Sequence, residues 1–300
     1  MFLLYLKTVT VENQNQTLID THAHANRYWK GWHTDEGILY SPTDAVLRVA
    51  QIREEGIQNG LSPESILGGM ALTGHDTLDG VSEAMEAGEQ SGVIVVPGAE
   101  ITCKPGKWGP TGHHLVVLLP SNVALDLEGK KKSLPKPMRR GPGYVAEFAH
   151  DLGGVVIAAH PRLFGDKVSL SFKQIRKRSQ AKNPARRIDA METVFPSGLD
   201  ETDSLRRLAR ELGLAEIGSS DSHRLKHMGI IATRFTGLPE NYTSDDVLTA
   251  IRKGNTEPVL LRQPDKDARR GPFLSLIGNV LRRTDPEEAE QIRELERQAA

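Results

Sequence analysis

The chain has 300 residues, of which 38% are hydrophobic and 26% charged, with a formal net charge of -1. This is the composition of an ordinary globular protein large enough to bury its own core, and the charge balance gives no sign of a nucleic-acid or membrane partner. The single cysteine, Cys103, excludes a disulfide framework within the chain.

The chain opens with an apolar run, Met1 to Leu6, that stops at Lys7 with no basic region before it. It reads as a strand or packed arm rather than a signal peptide. No stretch approaches the roughly 18 apolar residues of a membrane span, so a cytoplasmic location is expected. Short apolar runs then alternate with amphipathic stretches. Strands are expected at residues 17–19, 66–72, 93–96, 115–119, 155–158, 188–194 and 214–217. Helices are expected at 43–58, 80–90, 144–152, 201–212 and 244–253. The first of these follows Ser41-Pro42, a capping residue and then a proline suited to the first helical turn. Strand–helix alternation of this kind favours a parallel sheet with covering helices, and six or seven units suggest a closed or nearly closed β/α barrel. No glycine-rich nucleotide fingerprint follows the first strand, which weakens an open doubly wound sheet. Two basic stretches, 129–143 and 171–187, read as insertions. The organisation expected is a barrel over 1–262 followed by a charged helical extension over 263–300.

Histidine positions point to chemistry. His22 and His24 follow the first strand as H-x-H; alternation along a strand aims both rings to one face, where two nitrogens can grip one metal. Asp221-Ser222-His223 repeats the spacing after the strand at 214–217. His75, Glu100 and His160 each follow a strand-like run, and His114 opens another. Metal-binding and charged groups gathered at the carboxyl ends of barrel strands would repel or go unpaired unless a cation bound them. Eight or nine donors without cysteine suit two or three ions of Zn, Mn or Fe, with Glu100 a natural bridge.

These pieces are IDTHAH at 19–24, ALTGHDTLDG at 71–80, VPGAEI at 96–101, HLVVLL at 114–119, GGVVIAAHP at 153–161 and IGSSDSH at 217–223. Together they resemble the PHP (polymerase and histidinol phosphatase) metal-dependent phosphoesterase family over about residues 18–256. The resemblance implies a distorted seven-stranded β/α barrel with a trinuclear site. The first metal would take His22, His24, Glu100 and Asp221. The second would share Glu100 and add His114 and His160. The third would take His75, His223 and one further ligand, for which Asp35 is the choice and Glu36 and His33 are alternatives. Gly74 stands where the family has an aspartate, which bears on the third metal. The implied reaction is phosphate-ester hydrolysis by a metal-activated water, with Asp221, His223 and Glu100 carrying the catalysis and Arg162 and Arg224 as phosphate-binding candidates. The expected substrate is a small phosphorylated metabolite or nucleotide. Alternatives are an exonuclease-like activity on short oligonucleotides, an amidohydrolase-type C–N hydrolase and a non-catalytic metal-binding accessory domain. Tyr28, Trp29 and Trp32 read as a rim or lid, and Lys104, Lys107 and Trp108 as a covering loop.

Overall fold

The computed structural model describes residues 15–25, 40–103, 113–130, 141–161, 169–266 and 268–269. The apolar arm before residue 15, the aromatic rim, the loop of Lys104, Lys107 and Trp108, the middle of the 129–143 stretch and the extension past 269 lie outside them. The described elements, in order, are β1 (Asn15–Ala23), α1 (Pro42–Gln58), β2 (Leu67–His75), α2 (Val81–Ser91), β3 (Ile94–Cys103), β4 (His113–Leu118), α3 (Ser121–Gly129), α4 (Pro142–Asp151), β5 (Val155–Ala158), α5 (Phe172–Ser179), β6 (Ala190–Val194), α6 (Thr202–Leu212), β7 (Ala215–Gly218), β8 (Ile231–Leu238), α7 (Ser244–Lys253) and β9 (Thr256–Leu260).

Local chemistry sets several boundaries. Ser41 caps α1: its hydroxyl accepts from the Asp44 amide while the Asp44 carboxylate accepts from the Ser41 amide, and Pro42 opens the helix. Gly213 and Gly254 end α6 and α7 in the left-handed region, at φ 65° and 70°, where glycine has no Cβ to clash.

The strands form one sheet in the order β7-β6-β5-β4-β3-β2-β1-β8-β9. The pairs β1–β2, β2–β3, β5–β6 and β6–β7 are parallel. The expectation of a parallel sheet needs correction at β4, which runs antiparallel to both β3 and β5, and at β8 and β9. β3 and β4 are joined by a short return, which permits only an antiparallel pair. The expected count of seven strands becomes nine. β9 was hidden because Glu257 and Pro258 interrupt its apolar character; it is the last strand in the order, where proline is tolerated. The stretch 171–187 contains α5, whose Ile175 is fully buried, and it lies on the connection between the parallel strands β5 and β6.

The barrel nearly closes through β1. Its first half pairs with β8, while its far end bridges Ala23 to Ser222 beyond β7, with the His24 amide donating to the Ser222 carbonyl at 3.0 Å. Ile19, Ala71, Val96, Val116, Ile157, Ala190 and Ile217 pack with Val247, Leu248 and Ile251 of α7. α7 contacts β3, β5, β7 and β8, so it plugs the amino-terminal end of the barrel. Four residues of β1 (Asp20 to Ala23) match only three of β2 (Met70 to Leu72). This irregularity inverts the alternation of β1, so that His22 and His24 join the inward face occupied lower down by Ile19. Among the described residues no helix is long and apolar enough to cross a membrane.

One half-buried ion pair outside the barrel mouth gives a pH test. His150, in the last turn of α4, places Nδ1 at 2.9 Å from the Ala185 carbonyl and Nε2 at 2.8 Å from the Asp189 carboxylate. The same Asp189 oxygen accepts from the Val156 amide. Both ring nitrogens face acceptors, so the ring is satisfied as imidazolium, and Asp189 raises its pKa above the ordinary value. A raised folded-state pKa contributes stability below about pH 6.5 that is lost as pH rises through the folded value. The expected outcome for His150→Gln is a loss of about 1–3 kcal/mol at pH 6, shrinking by pH 9. Urea melts at both pH values measure it; an equal loss at the two would refute the charged-ring assignment.

Candidate metal centre

Eight of the expected donors meet at the carboxyl-terminal mouth of the barrel. His22 and His24 come from the end of β1, His75 from the end of β2 and Glu100 from β3, directly beside His75 in the parallel register. His114 stands at the amino end of β4, opposite Thr102 of β3. It reaches the same mouth because β4 runs backwards. His160 follows β5, and Asp221 and His223 follow β7. His160 and Asp221 sit at positive φ, 26° and 47°. Backbone in this region is costly for residues other than glycine and gathers at functional sites.

Three donor groups fall within this mouth: His22, His24 and Asp221; Glu100, His114 and His160; and His24, His75 and His223, with the ligand atoms of each group within 4.8 Å of one another. Glu100 divides its oxygens between them. Oε1 lies 2.7 Å from His114 Nδ1 and 2.8 Å from His160 Nε2. Oε2 lies 2.8 Å from His75 Nδ1, 3.5 Å from His24 Nε2 and 3.6 Å from His22 Nε2. His22 and His24 bring their Nε2 atoms to 3.1 Å, and Asp221 Oδ1 stands 3.1 Å from the second and 3.6 Å from the first. Donors held at about 2.1 Å around one first-row ion stand about 3.0–3.4 Å apart, close to these spacings.

The donors fit a cation better than they fit one another. Glu100 Oε2 is buried and forms no hydrogen bond of good geometry despite three imidazole nitrogens nearby, and His24 Nδ1 is buried without a hydrogen-bond partner. Burial pushes the His24 pKa down to about 3, helped by His223 and His75, so this ring is neutral with a lone pair to offer. Burial also lowers His114. Burial works against charge on His22, yet Glu192, Glu100 and Asp221 together raise it well above the ordinary histidine value. Burial is likewise overcome at Glu100 by His114, His75 and His22, and at Asp221 by His22 and His223, so both carboxylates stay ionised below their usual range.

Several expectations meet the structure differently. Asp35, the alternatives His33 and Glu36, and Arg162 lie outside the described residues. Within them, the third group is completed by His24. Arg224 is exposed just past His223 and its charge bears on His227. His113 turns away from the centre, with Nδ1 on the Ser169 carbonyl at 3.0 Å and Nε2 on the Gln174 amide at 2.8 Å, which leaves His114 as the donor. At Gly74 an added Cβ would come within 3.2 Å of the Thr77 methyl group, so Thr77 occupies the space an aspartate there would need.

Sequence reasoning missed the groups behind the donors. Glu192 of β6 is buried with its Oε1 2.8 Å from His22 Nδ1. Ser169 Oγ lies 3.0 Å from His160 Nδ1. Asp20 accepts from the Ser220 amide and hydroxyl and from the Gly229 amide, and burial raises its pKa to about 6. The available signal was a carboxylate inside a short apolar strand, AMETV, and another just before the H-x-H.

Comparison with known proteins bears on the fold. Residues 203–256, which span α6, β7, the Asp221–His223 turn, β8 and α7, match the family model described as PHP-associated. Over this segment the chain is similar to PHP-associated proteins. Its structure resembles PsfC from Pseudomonas syringae PB-5123, with a TM-score of 0.55 and 20% identity over 88% of this chain and 98% of that one. It also resembles a two-domain protein from Bacteroides vulgatus ATCC 8482 containing a predicted PHP-like metal-dependent phosphoesterase, with a TM-score of 0.54 and 15% identity over 87% of this chain and 70% of that one. Among curated proteins none matches the chain. At these identities the likeness establishes the PHP type of barrel and nothing finer.

Two of the donors, His22 and His160, have pKa values raised by the surrounding carboxylates. Their protons must leave before the nitrogens can ligate, so metal affinity should rise with pH. Mn²⁺ titrated at pH 7 into the metal-free protein is expected to release protons, read as a dependence of binding heat on the buffer's ionisation enthalpy. Heat that is independent of buffer would rule out protonated donors.

Proposed function

We propose that the protein is a metal-dependent hydrolase of phosphate esters, acting on a small phosphorylated metabolite or nucleotide with two or three divalent ions. The division of the Glu100 oxygens between donor groups supports this reading most directly, since a bridging carboxylate holds two cations at the spacing of one phosphoryl group.

His22, His24, Glu100 and Asp221 would hold one ion; Glu100, His114 and His160 a second; His75 and His223 a third, completed by His24 or by Asp35. Ions bound there supply Lewis acidity, making a water acidic near neutral pH and offsetting phosphoryl charge. Glu100 and Asp221 keep the centre from accumulating unbalanced positive charge, and their ionised state needs no change of pH. His223, at the open side of the cluster with about a quarter of its side chain exposed, faces the entering substrate. Arg224 follows it on the same exposed turn and is the described candidate for a phosphoryl oxygen that no ion reaches. Asp221, His223 and Glu100 are therefore the residues assigned to catalysis, and Mn, Zn and Fe all suit the donor set.

The test is phosphate release by Mn-loaded protein from a panel of phosphomonoesters, phosphodiesters, nucleotides and short oligonucleotides, with metal content measured alongside. His22→Ala and Asp221→Ala are each expected to lower turnover at least about a hundredfold together with bound metal. Metal-replete protein that releases phosphate from no ester would remove the proposal. Preference for oligonucleotides over mononucleotides would shift the substrate to the exonuclease-like alternative.

A further inference from the structure

Strand alternation places Glu192 on the inward face of β6, two residues beyond Ala190, which packs in the apolar interior. It is 1% exposed. It stands between the apolar layer below and the donors above, as the floor of the centre. Three segments lean on its carboxylate. Oε1 lies 2.8 Å from His22 Nδ1 at the end of β1 and accepts from the Ser219 hydroxyl at 2.7 Å, two residues before Asp221. Oε2 accepts from the His160 backbone amide at 2.6 Å, at the residue whose φ is 26°.

Each contact has a consequence for the donors. A carboxylate only accepts, so it fixes the His22 proton on Nδ1 and leaves the Nε2 lone pair directed at His24 and Asp221. Its bond to the His160 amide holds a backbone turn that the residue would otherwise avoid, and that turn swings the ring to Glu100 Oε1. Its bond to Ser219 anchors the start of the Asp221 turn. One side chain thereby registers three of the chain segments that carry the donors.

We propose that Glu192 is a positioning residue of the metal centre, setting the ring tautomer of His22 and the backbone pose of His160 without itself reaching the ions. The inference rests on the reading of this mouth as a metal site, but not on the identity of any substrate. Glutamine has the shape of glutamate but only one acceptor oxygen, while three donors converge here. Either the His22 proton moves to Nε2, into the cluster, or the glutamine amide is turned against the His160 N–H.

The experiment measures Mn²⁺ binding to full-length wild type, Glu192→Gln and Ser219→Ala by calorimetry, and the His22 tautomer in the metal-free proteins by ring ¹⁵N shifts at alkaline pH, where the ring is neutral. The expected result for Glu192→Gln is a native circular dichroism spectrum, a loss of the pure Nδ1–H signature at His22 and affinity weakened about 10- to 100-fold. Ser219→Ala leaves the carboxylate in place and is expected to stay within about threefold of wild type, with the His22 tautomer unchanged. A folded Glu192→Gln that binds Mn²⁺ within about twofold of wild type and keeps the His22 tautomer overturns the proposal. Should glutamine prevent folding, Glu192→Asp decides: its shorter carboxylate cannot span both His22 and His160, so wild-type affinity there overturns the proposal and weakened affinity supports it. Because the readouts are binding and tautomer, they stand whichever esters the protein turns over.

Discussion

The two oxygens of Glu100, buried among five imidazole rings, set the terms for the rest of the structure. A carboxylate removed from water is costly unless opposite charge or good donors surround it. Here its neighbours are five imidazole nitrogens at 2.7–3.6 Å; Oε1 is hydrogen-bonded to His160 Nε2, while Oε2 has no hydrogen bond of good geometry. Imidazoles that carry protons and any bound cation both answer that charge. The strand ends that bring the nitrogens to Glu100 therefore have to be held in place by the fold.

The barrel holds them by layering its interior. Apolar residues from alternate positions and the plug of α7 fill the lower part. Above them lie polar groups that face the donors from behind: Glu192 under His22 and His160, Ser169 beside His160, and Asp20 fastening the turn that leads to Asp221. This ordering leaves the donors rigid on one side and open on the other, which is what a catalytic metal site requires. The irregularity in β1 and the positive φ at His160 and Asp221 lie in the same layer. These departures from regular backbone lie at residues that aim donors.

The gathering of His22, His24, His75, Glu100, His160, Asp221 and His223 at one mouth was legible because each signal was local: a polar group at the end of a short apolar run, or a pair spaced by the strand period. The helix starting at Ser41-Pro42 was legible for the same reason, since a cap involves neighbours three residues apart. β8 and β9 were not, because their pairing partners rather than their own apolar content make them strands. In β8 threonine and arginine break the apolar run, and in β9 a proline stands on an edge. Glu192 was hidden because the residues that give it meaning, His22, His160 and Ser219, are up to 170 positions away.

By itself the sequence determined the donor types, their order and the barrel class, because these follow from residue chemistry and short-range periodicity. Only the tertiary structure decided which way β4 runs, and hence that a histidine opening a strand meets donors closing others. It also decided the inversion of alternation in β1, the sharing of His24 between two donor groups and the place of Glu192 beneath them. The reason is physical: strand direction, register and shared contacts are settled by packing between segments distant along the chain, and nothing in the local sequence encodes them.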